Sequence, residues 1–378
     1  MKIKILREKI KQAVNIAEKI TGKDSSLAIL GNIMLKAEDN RLSVIATNLE
    51  TGIIWDLLAK TEAAGSAVLP AGIFSGLISS LPGSTLLIDK KNDTVSVVDG
   101  KTKSNLISLP PEEFPTLPVI DSGDYFTIRA DIFCQALAQV AGFSGTSSVK
   151  PEINGVYMGI NDDNIKIVAT DSFRLGEKKI LTAGKSELSK KYSIILPARA
   201  VREIVAVFSG IQKNVIIYLS DNQIMIDFSD DEGGDRSRIR FISRLIDGEF
   251  PDYQAIIPES HSAQISFSKK EILFQLKPAQ IFSGKNSEIT MDVSVKDKIA
   301  KIASRAADFG GYEGEMELIA ADGKDLSIIF NNRFLIDGLS ALAADECFFG
   351  FSEDDGPALL RSKNEDDFIY IIMPIKKY

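Results

Sequence analysis

One short string occurs twice in this chain and constrains its fold more than any other feature. Residues 167–176 read IVATDSFRLG, and residues 44–50 read VIATNLE. In both copies a β-branched run leads into Ala-Thr-Asp or Ala-Thr-Asn and then into a turn. A specific string that recurs at long spacing is typical of a repeated structural unit. The sequence therefore predicts one module that is repeated along the chain.

Further segments repeat in the same order. Residues 67–71 (AVLPA) match 194–198 (IILPA), and the connector 109–115 (LPPEEFP) resembles 245–251 (LIDGEFP). A fainter third copy has a strand at 263–267, Ile302-Ala303-Ser304 in place of the repeated string, and a second helix within 330–342. We predict an α+β fold of three repeated domains, 1–120, 121–256 and 257–378, each with two helices packed on antiparallel sheets.

Apolar residues at three- and four-residue spacing predict the buried faces of four helices. In the first module these are Ile10, Ala13, Val14, Ala17 and Ile20, then Ile73, Phe74, Leu77, Ile78 and Leu81. In the second they are Ile132, Phe133, Ala136, Leu137 and Val140, then Val201, Ile204, Val205 and Phe208. A helix over 269–282 contains Pro278, and because proline kinks or ends a helix, we expect distortion near Gln275.

Composition limits the class of protein. The 378 residues are 44% hydrophobic and 25% charged, as in a globular protein of two or three domains. No apolar run approaches the roughly 20 residues of a membrane span, and the N-terminus lacks a signal peptide's apolar centre, so we predict a cytoplasmic protein without a membrane partner. Cys134 and Cys347 have no CxxC partner and are predicted to be buried.

A local basic face is compatible with the net charge of −8. Three modules in line could place their helices on one side, where basic residues would screen DNA phosphates without reading bases. The predicted DNA-facing residues are Arg7, Lys9, Lys11, Lys19, Lys23, Arg199, Arg202, Lys269, Lys270, Lys277 and Arg333. The alternative for each of them is an ordinary solvated surface residue.

Several short motifs are similar to those of one known family. They are Leu30-Gly31-Asn32, Ile153-Asn154-Gly155, 168–171 (VATD) with Arg174-Leu175, 247–253 (DGEFPDY) and Met373-Pro374. With them the whole chain resembles the bacterial DNA polymerase III beta subunit, the sliding-clamp family. The resemblance implies clamp-type domains that close head-to-tail into a homodimeric six-domain ring. It implies a processivity factor that encircles duplex DNA without sequence specificity and needs no cofactor.

The same resemblance implies a hydrophobic pocket for partner peptides. Its partners would be the replicative DNA polymerase alpha subunit, the clamp loader complex and other proteins with a clamp-binding motif. The matching pocket positions are Ile153, Thr170, Ser172, Phe173, Arg174, Leu175, Pro251, Ile371 and Met373, with Pro357 at the rim. Phe173 and Gln254-Ala255 depart from the family pattern and leave the peptide preference open. The subunit contact would bring Leu106 against Ile281 and Phe282.

An enzyme is the rival class. The only histidine, His261, lies in a Ser-His-Ser segment without a recognisable catalytic partner, and 142–145 (GFSG) is too short to be a phosphate-binding loop. Asp230, Asp231, Glu232 and Asp235 suggest a metal site, but their Gly-Gly setting favours an exposed hairpin tip. We predict no catalytic residue and no metal site.

A second alternative is a repeat-domain peptide-binding scaffold that does not encircle DNA. Such a scaffold would share the pocket but would need no basic helix face. Replacement of Lys9, Arg199 and Lys270 by glutamate separates the two readings, because the scaffold predicts unchanged retention on DNA circles.

Overall fold

The computed structural model of the chain describes residues 1–22, 27–120, 122–147, 149–182, 186–230, 237–308, 310–352 and 356–376. The chain forms two compact units. Unit 1 contains Met1–Gln135, Thr182–Lys191 and Arg199–Ile246, and unit 2 contains Ala136–Leu181, Tyr192–Ala198 and Asp247–Tyr378.

The α-helices of the described residues confirm the predicted helix positions. They are α1 Arg7–Ile20, α2 Ala71–Ser80, α3 Ala130–Ala141, α4 Ala198–Phe208, α5 Lys269–Ile281 and α6 Asn332–Ala341. The α1 helix buries the five apolar residues that its spacing predicts. The α5 helix continues through Pro278, so the proline does not end it. No helix in the described part of the chain has the length and apolar character of a membrane span.

Two apolar residues were assigned to the wrong helix faces. Ile73 of α2 and Ile132 of α3 are exposed. In α2 the buried row runs through Phe74 and Ile78, one turn apart, and Ile73 lies about 100° around the helix from Phe74. In α3 the buried row includes Phe133, Cys134 and Leu137, and Ile132 lies about 100° around the helix from Phe133.

The strands of the described residues, in chain order, fall into four sheets. They are β1 Lys2–Leu6, β2 Asn32–Glu38, β3 Arg41–Thr47, β4 Thr51–Leu58, β5 Lys60–Ala63, β6 Gly65–Pro70, β7 Thr85–Lys91, β8 Thr94–Asp99, β9 Thr102–Ile107, β10 Tyr125–Arg129, β11 Gly155–Ile160, β12 Asn164–Thr170, β13 Arg174–Leu181, β14 Ser186–Glu187, β15 Tyr192–Pro197, β16 Asn214–Leu219, β17 Gln223–Ser229, β18 Arg238–Arg244, β19 Ala263–Ser268, β20 Glu288–Ser294, β21 Ile299–Ala306, β22 Gly310–Glu317, β23 Ala320–Gly323, β24 Leu326–Asn331, β25 Glu346–Phe351, β26 Ala358–Ser362 and β27 Phe368–Ile372.

Unit 1 contains a five-stranded and a nine-stranded sheet. Their strand orders are β5-β1-β7-β8-β9 and β14-β10-β16-β17-β18-β4-β3-β2-β6. In the larger sheet β4 pairs antiparallel with β18, from Thr51 opposite Ser243 to Asp56 opposite Arg238. Strands of the first and second predicted modules therefore share one sheet.

Unit 2 repeats this arrangement with a nine-stranded and a four-stranded sheet. Their strand orders are β15-β11-β12-β13-β27-β26-β25-β19-β23 and β22-β21-β20-β24. Here β13 pairs antiparallel with β27, from Arg174 opposite Ile372 to Lys178 opposite Phe368. Strands of the second and third predicted modules are joined in the same way, which places the second copy of the repeated string beside the end of the chain.

Candidate functional site

The first copy of the repeated string forms a tight turn between β3 and β4. Thr47 Oγ1 donates to the Thr51 carbonyl at 2.8 Å. Asn48 Oδ1 accepts hydrogen bonds from the Glu50 and Thr51 amides at 2.9 and 2.7 Å. Leu49, in the middle, has a φ of 74°. Side-chain to backbone bonds of this kind stabilise turns and explain the Thr-Asn pair.

The second copy builds the same turn between β12 and β13. Thr170 Oγ1 donates to the Arg174 carbonyl at 2.7 Å. Asp171 Oδ1 accepts from the Phe173 and Arg174 amides, each at 3.0 Å. Ser172 has a φ of 77°. The repeated string is therefore a repeated turn, and it sets the direction of the side chains that follow it.

Arg174 ties three segments of unit 2 together. Its guanidinium donates to Asp171 Oδ2 at 2.9 Å, to Asp337 Oδ2 at 2.5 Å and to the Gly142 carbonyl at 3.2 Å. The guanidinium carbon lies 4.3 Å from the Phe334 ring centroid. Burial opposes the charged form, but Asp337 and Asp171 together raise the pKa of Arg174. Charge-assisted bonds to two carboxylates hold this side chain in place.

A cavity of about 690 Å³ opens beside this turn. Phe173 is 62% exposed and stacks on Phe334, with ring centroids 6.4 Å apart. The Met373 amide donates to the Phe173 carbonyl at 2.9 Å, which holds the segment after β27 against the turn. The lining residues are Ser172, Phe173, Asn286, Asn331, Phe334, Met373, Pro374, Ile375 and Lys376. Aromatic walls with a few polar groups are typical of ligand sites.

Three of the predicted pocket residues, Ser172, Phe173 and Met373, line this cavity. Leu175 and Ile371 face each other across β13 and β27, and both are buried. They belong to a hydrophobic cluster with Val168, Tyr253 and Leu359. Leu175 and Ile371 are therefore core residues that do not line the cavity.

The other predicted pocket residues lie around the same sheet. Thr170 and Ile153 are buried, and the Ile153 carbonyl accepts from the Gly145 amide at 2.8 Å. Pro251 is exposed and lines a second cavity, of about 390 Å³. Pro357 is half-buried, and its carbonyl accepts from Ser352 Oγ at 2.9 Å.

Sequence reasoning missed much of the cavity wall, including Asn286, Asn331 and Phe334. Asn331 caps α6, because its side-chain oxygen accepts from the Arg333 and Phe334 amides at 3.0 and 3.3 Å. An asparagine directly before a helix is a readable capping signal. Phe334 has no such signal, because only the packing of α6 brings its ring next to Phe173.

The predicted DNA-facing residues differ in their surroundings. Arg7 is mostly buried, pairs with Glu8 and donates to the Leu81 carbonyl at 2.6 Å. Lys269 donates to the Leu342 carbonyl at 2.8 Å, and Lys9 and Lys11 are half-buried. Lys23 lies outside the described residues. The exposed members are Lys19, Arg199, Arg202, Lys270, Lys277 and Arg333.

The predicted subunit contact involves one exposed and two half-buried apolar residues. Leu106 is half-buried in β9, which forms an edge of the five-stranded sheet, and its neighbour Ile107 is 76% exposed. Ile281 ends α5 and is 72% exposed, while Phe282 is half-buried. Unpaired edge strands and exposed apolar side chains are features that a second chain can cover.

The histidine and the two cysteines lie at half-buried or buried positions. The His261 ring packs tilted against Phe348, with ring centroids 5.5 Å apart, and burial lowers the pKa of His261, as does the charge of Arg361. Cys134 and Cys347 are free and buried, as predicted, and burial raises the pKa of each thiol to about 12. Among the described residues no group of three His, Cys, Asp or Glu side chains could hold a metal.

The acidic segment between β17 and β18 is only partly described. Asp230 pairs with Lys213 at 2.6 Å. Asp231, Glu232 and Asp235 lie outside the described residues, so the predicted hairpin tip stays a prediction.

The fold and the repeated turn define an α+β protein of three clamp-type modules. Models of three domains match the chain: DNA polymerase III beta subunit, N-terminal domain at residues 1–118, central domain at 127–252 and C-terminal domain at 254–376. The chain belongs to the DNA polymerase III beta-subunit family, and its function is that of a sliding clamp, a polymerase processivity factor.

Individual relatives are similar over nearly the whole chain. The chain is 25% identical to a beta sliding clamp of Staphylococcus aureus, over 92% of this chain and 89% of that protein. The crystal structure of the Bacillus subtilis DNA polymerase sliding clamp has a TM-score of 0.92 at 24% identity, with both chains fully covered. A Pseudomonas aeruginosa sliding clamp bound to griselimycin has a TM-score of 0.91 at 23% identity, also over the full length of both chains.

Proposed function

We propose that two copies of this protein close head-to-tail into a ring that encircles duplex DNA. The observation that carries this proposal is the pair of uncovered apolar surfaces, one in each unit. Unit 1 offers the β9 edge with Leu106 and Ile107, and unit 2 offers Phe274 and Ile281 of α5. A contact between two different surfaces closes into a ring when the rotation between copies allows it.

The ring makes the function topological. Escape from closed DNA requires an interface to open, so weak contacts with phosphates suffice to keep the protein sliding. The exposed lysines and arginines of α1, α4, α5 and α6 supply such contacts without sequence specificity. We propose no catalytic role for the protein itself. The proposal also includes the three domains 1–120, 121–256 and 257–378 and a cytoplasmic location.

Retention on circular DNA tests the ring. The protein is loaded onto a nicked circle with a clamp loader, and half of the sample is then linearised. We expect retention on the circle and loss from the linear form. Glutamate at Lys19, Lys270 and Lys277 should lower the amount of protein that is loaded onto the circle. Equal retention on circular and linear DNA would instead support the peptide-binding scaffold.

We further propose that the 690 Å³ cavity receives a short peptide from the replicative polymerase alpha subunit, the clamp loader or other partners. The stacked pair Phe173 and Phe334 provides an apolar wall, and the Asn286 and Asn331 side chains lie at the same cavity. A peptide with apolar side chains would bury its anchors against the two rings.

Removal of the exposed apolar wall should weaken peptide binding. We expect Phe173→Ala with Met373→Ala to raise the Kd of a polymerase-derived peptide by about tenfold or more, because each change removes roughly 1–2 kcal/mol of apolar contact. Fluorescence anisotropy measures the Kd, and Ile319→Ala, an exposed apolar position of unit 2 away from the cavity, is the matched control. Equal Kd values for the double variant and the control would place the peptide elsewhere.

A further inference from the structure

The 390 Å³ cavity of unit 2 lies between the edge of the nine-stranded sheet and the segment 248–254. The edge strand is β15, and its Ser193 and Ile195 line the cavity next to Tyr157 of β11. This cavity shares no lining residue with the 690 Å³ cavity, to which a partner peptide is assigned above. It is therefore a separate site of the same unit.

The charged groups at this cavity are acidic and accessible. Glu249 and Asp252 line it, and both residues are exposed. Neither carboxylate forms an ion pair within the described part of the chain, and Asp252 Oδ1 accepts only a backbone hydrogen bond, from the Gln254 amide at 3.3 Å. The described residues that line the cavity include no lysine, arginine or histidine. By charge complementarity the cavity favours a cationic group.

Aromatic rings form the apolar part of the wall. Tyr157 stacks on Phe250 with ring centroids 5.0 Å apart, and Phe250 meets Tyr253 edge-to-face at 6.3 Å. The Tyr157 and Ser193 hydroxyls share a hydrogen bond of 2.9 Å, and the Tyr253 hydroxyl donates to Glu177 at 2.6 Å. These contacts hold the rings in place. Aromatic faces attract cations, and the alkyl part of a long cationic side chain packs on them.

The backbone of Ser193 adds an acceptor at the sheet edge. The Asn161 amide donates to the Asn164 carbonyl at 3.1 Å, which closes the hairpin between β11 and β12. Hydrogen-bonded pairs alternate along a hairpin, so Gly159 directs its backbone groups toward Lys166 of β12. Ser193 lies opposite Gly159 on the other side of β11. Its carbonyl therefore points away from the sheet, at an exposed position.

The first copy of the repeated structure shows which group suits such a carbonyl. Ser66 precedes the string 67–71 as Ser193 precedes 194–198, and each serine lies on an edge strand of a nine-stranded sheet. In unit 1 Lys90 Nζ donates to the Ser66 carbonyl at 2.9 Å. Both residues line a cavity of about 420 Å³ together with Glu112 of the connector. In unit 1 the chain thus supplies its own lysine to this edge.

We propose that the 390 Å³ cavity of unit 2 binds a lysine side chain of a partner protein. The ammonium group is held by the carboxylates of Glu249 and Asp252 and by the Ser193 carbonyl, and the alkyl chain lies against the Phe250 ring. A lysine within a protein suits the site better than free lysine, because free lysine carries a carboxylate that the acidic lining repels. This site goes beyond the proposed ring and the peptide cavity and depends on neither.

Saturation-transfer difference NMR of the full-length protein tests the proposal with three probes: acetyl-Gly-Lys-Gly-amide, acetyl-Gly-Gln-Gly-amide and free lysine. We expect saturable binding of the lysine peptide and at least tenfold weaker binding of the other two. Glu249→Gln with Asp252→Asn should weaken binding of the lysine peptide by about tenfold or more. The matched control is Glu259→Gln with Glu365→Gln, which removes two exposed carboxylates of unit 2 outside the cavity and should leave binding unchanged.

A cation placed at the cavity by the chain itself provides the second test. Ser193→Lys should abolish binding of the lysine peptide, whereas the neutral Ser193→Gln should weaken it less. Equal loss in these two variants would contradict the role of charge. The proposal is overturned if the lysine peptide does not bind, if it binds the Glu249→Gln, Asp252→Asn variant as tightly as the control, or if free lysine or the glutamine peptide binds as tightly as the lysine peptide.

Discussion

The two copies of the repeated turn share a backbone but differ in what surrounds them. In both, a threonine hydroxyl and an Asn or Asp oxygen hold the turn, and the middle residue has a positive φ. The strand then begins with Thr51 in unit 1 and with Arg174 in unit 2. The turn therefore specifies the local fold, while the residue after it determines which contacts hold the neighbouring helix.

The second position of each strand shows the same contrast. Gly52 of β4 lies opposite Thr47 of β3, and in the same way Leu175 of β13 lies opposite Thr170 of β12. A Cβ on Gly52 would lie 2.5 Å from Cδ2 of Leu117, which belongs to the connector when it is extended from 109–115 to 109–119. Unit 1 therefore covers its strand with the chain's own connector.

In unit 2 the strand β13 carries its own leucine, Leu175, at the position that Gly52 has in unit 1. Leu175 is buried in a cluster with Tyr253, while Phe173 is exposed at the open cavity. One copy of the repeated structure thus takes its apolar cover from the connector, and the other presents an aromatic surface on which a partner can pack.

Of the substitutions that test the difference between the two turns, Arg174→Met should change the stability most. The change leaves Asp171 and Asp337 without their shared cation and removes the contact with Phe334, so we expect unit 2 to lose about 3 kcal/mol of stability. Urea denaturation followed by circular dichroism measures the loss. Arg129→Met breaks a surface ion pair with Asp131 and should leave the midpoint nearly unchanged. Indistinguishable midpoints for the two variants would show that Arg174 does not tie the segments.

Gly52→Leu should have an intermediate effect. It places a leucine at the unit 1 position that corresponds to Leu175, where Leu117 already occupies the space. We expect about 2 kcal/mol of destabilisation from overpacking, together with faster proteolysis of the connector 109–119.

The pair Gly52→Leu with Leu117→Ala tests the cause. Loss of the Leu117 side chain makes room for the new leucine, so the double variant should recover part of the lost stability. A double variant that is no more stable than Gly52→Leu would show that the clash is not with Leu117.

Thr51→Arg should have the smallest effect, a gain of about 1 kcal/mol at neutral pH. Burial raises the folded-state pKa of Glu203 above its unfolded value, so its ionisation costs stability as the pH rises above the unfolded pKa. The new guanidinium favours the ionised form, and the gain should therefore grow from pH 4 to pH 7. Thermal melts at both pH values measure it, and in Thr51→Arg with Glu203→Gln, the control, the gain should no longer depend on pH.

The local parts of this structure could be read from the sequence, and the tertiary parts could not. The turn, α1 and its buried face follow from residues that are neighbours along the chain. The β13 strand cannot be read from its sequence, because the polar Glu177, Lys178 and Lys179 hide the alternation of a strand. The partner of Arg174 could not be predicted, because Asp337 lies 163 residues away and is brought close only by the packing of α6.

The pocket shows the same division. The family resemblance grouped Ser172, Phe173 and Met373, and all three line one cavity because β13 pairs with β27. Phe334 and Asn286 were missed, because each reaches the cavity from an element whose position is set by tertiary packing.

The solution mass of the protein tests the proposed ring most directly. Light scattering over a dilution series to nanomolar concentration should give a mass near twice 41.3 kDa, because two chains of three modules complete the ring. Ile281→Asp should shift the mass toward that of one chain. A persistent mass of 41.3 kDa for the unchanged protein would contradict the ring.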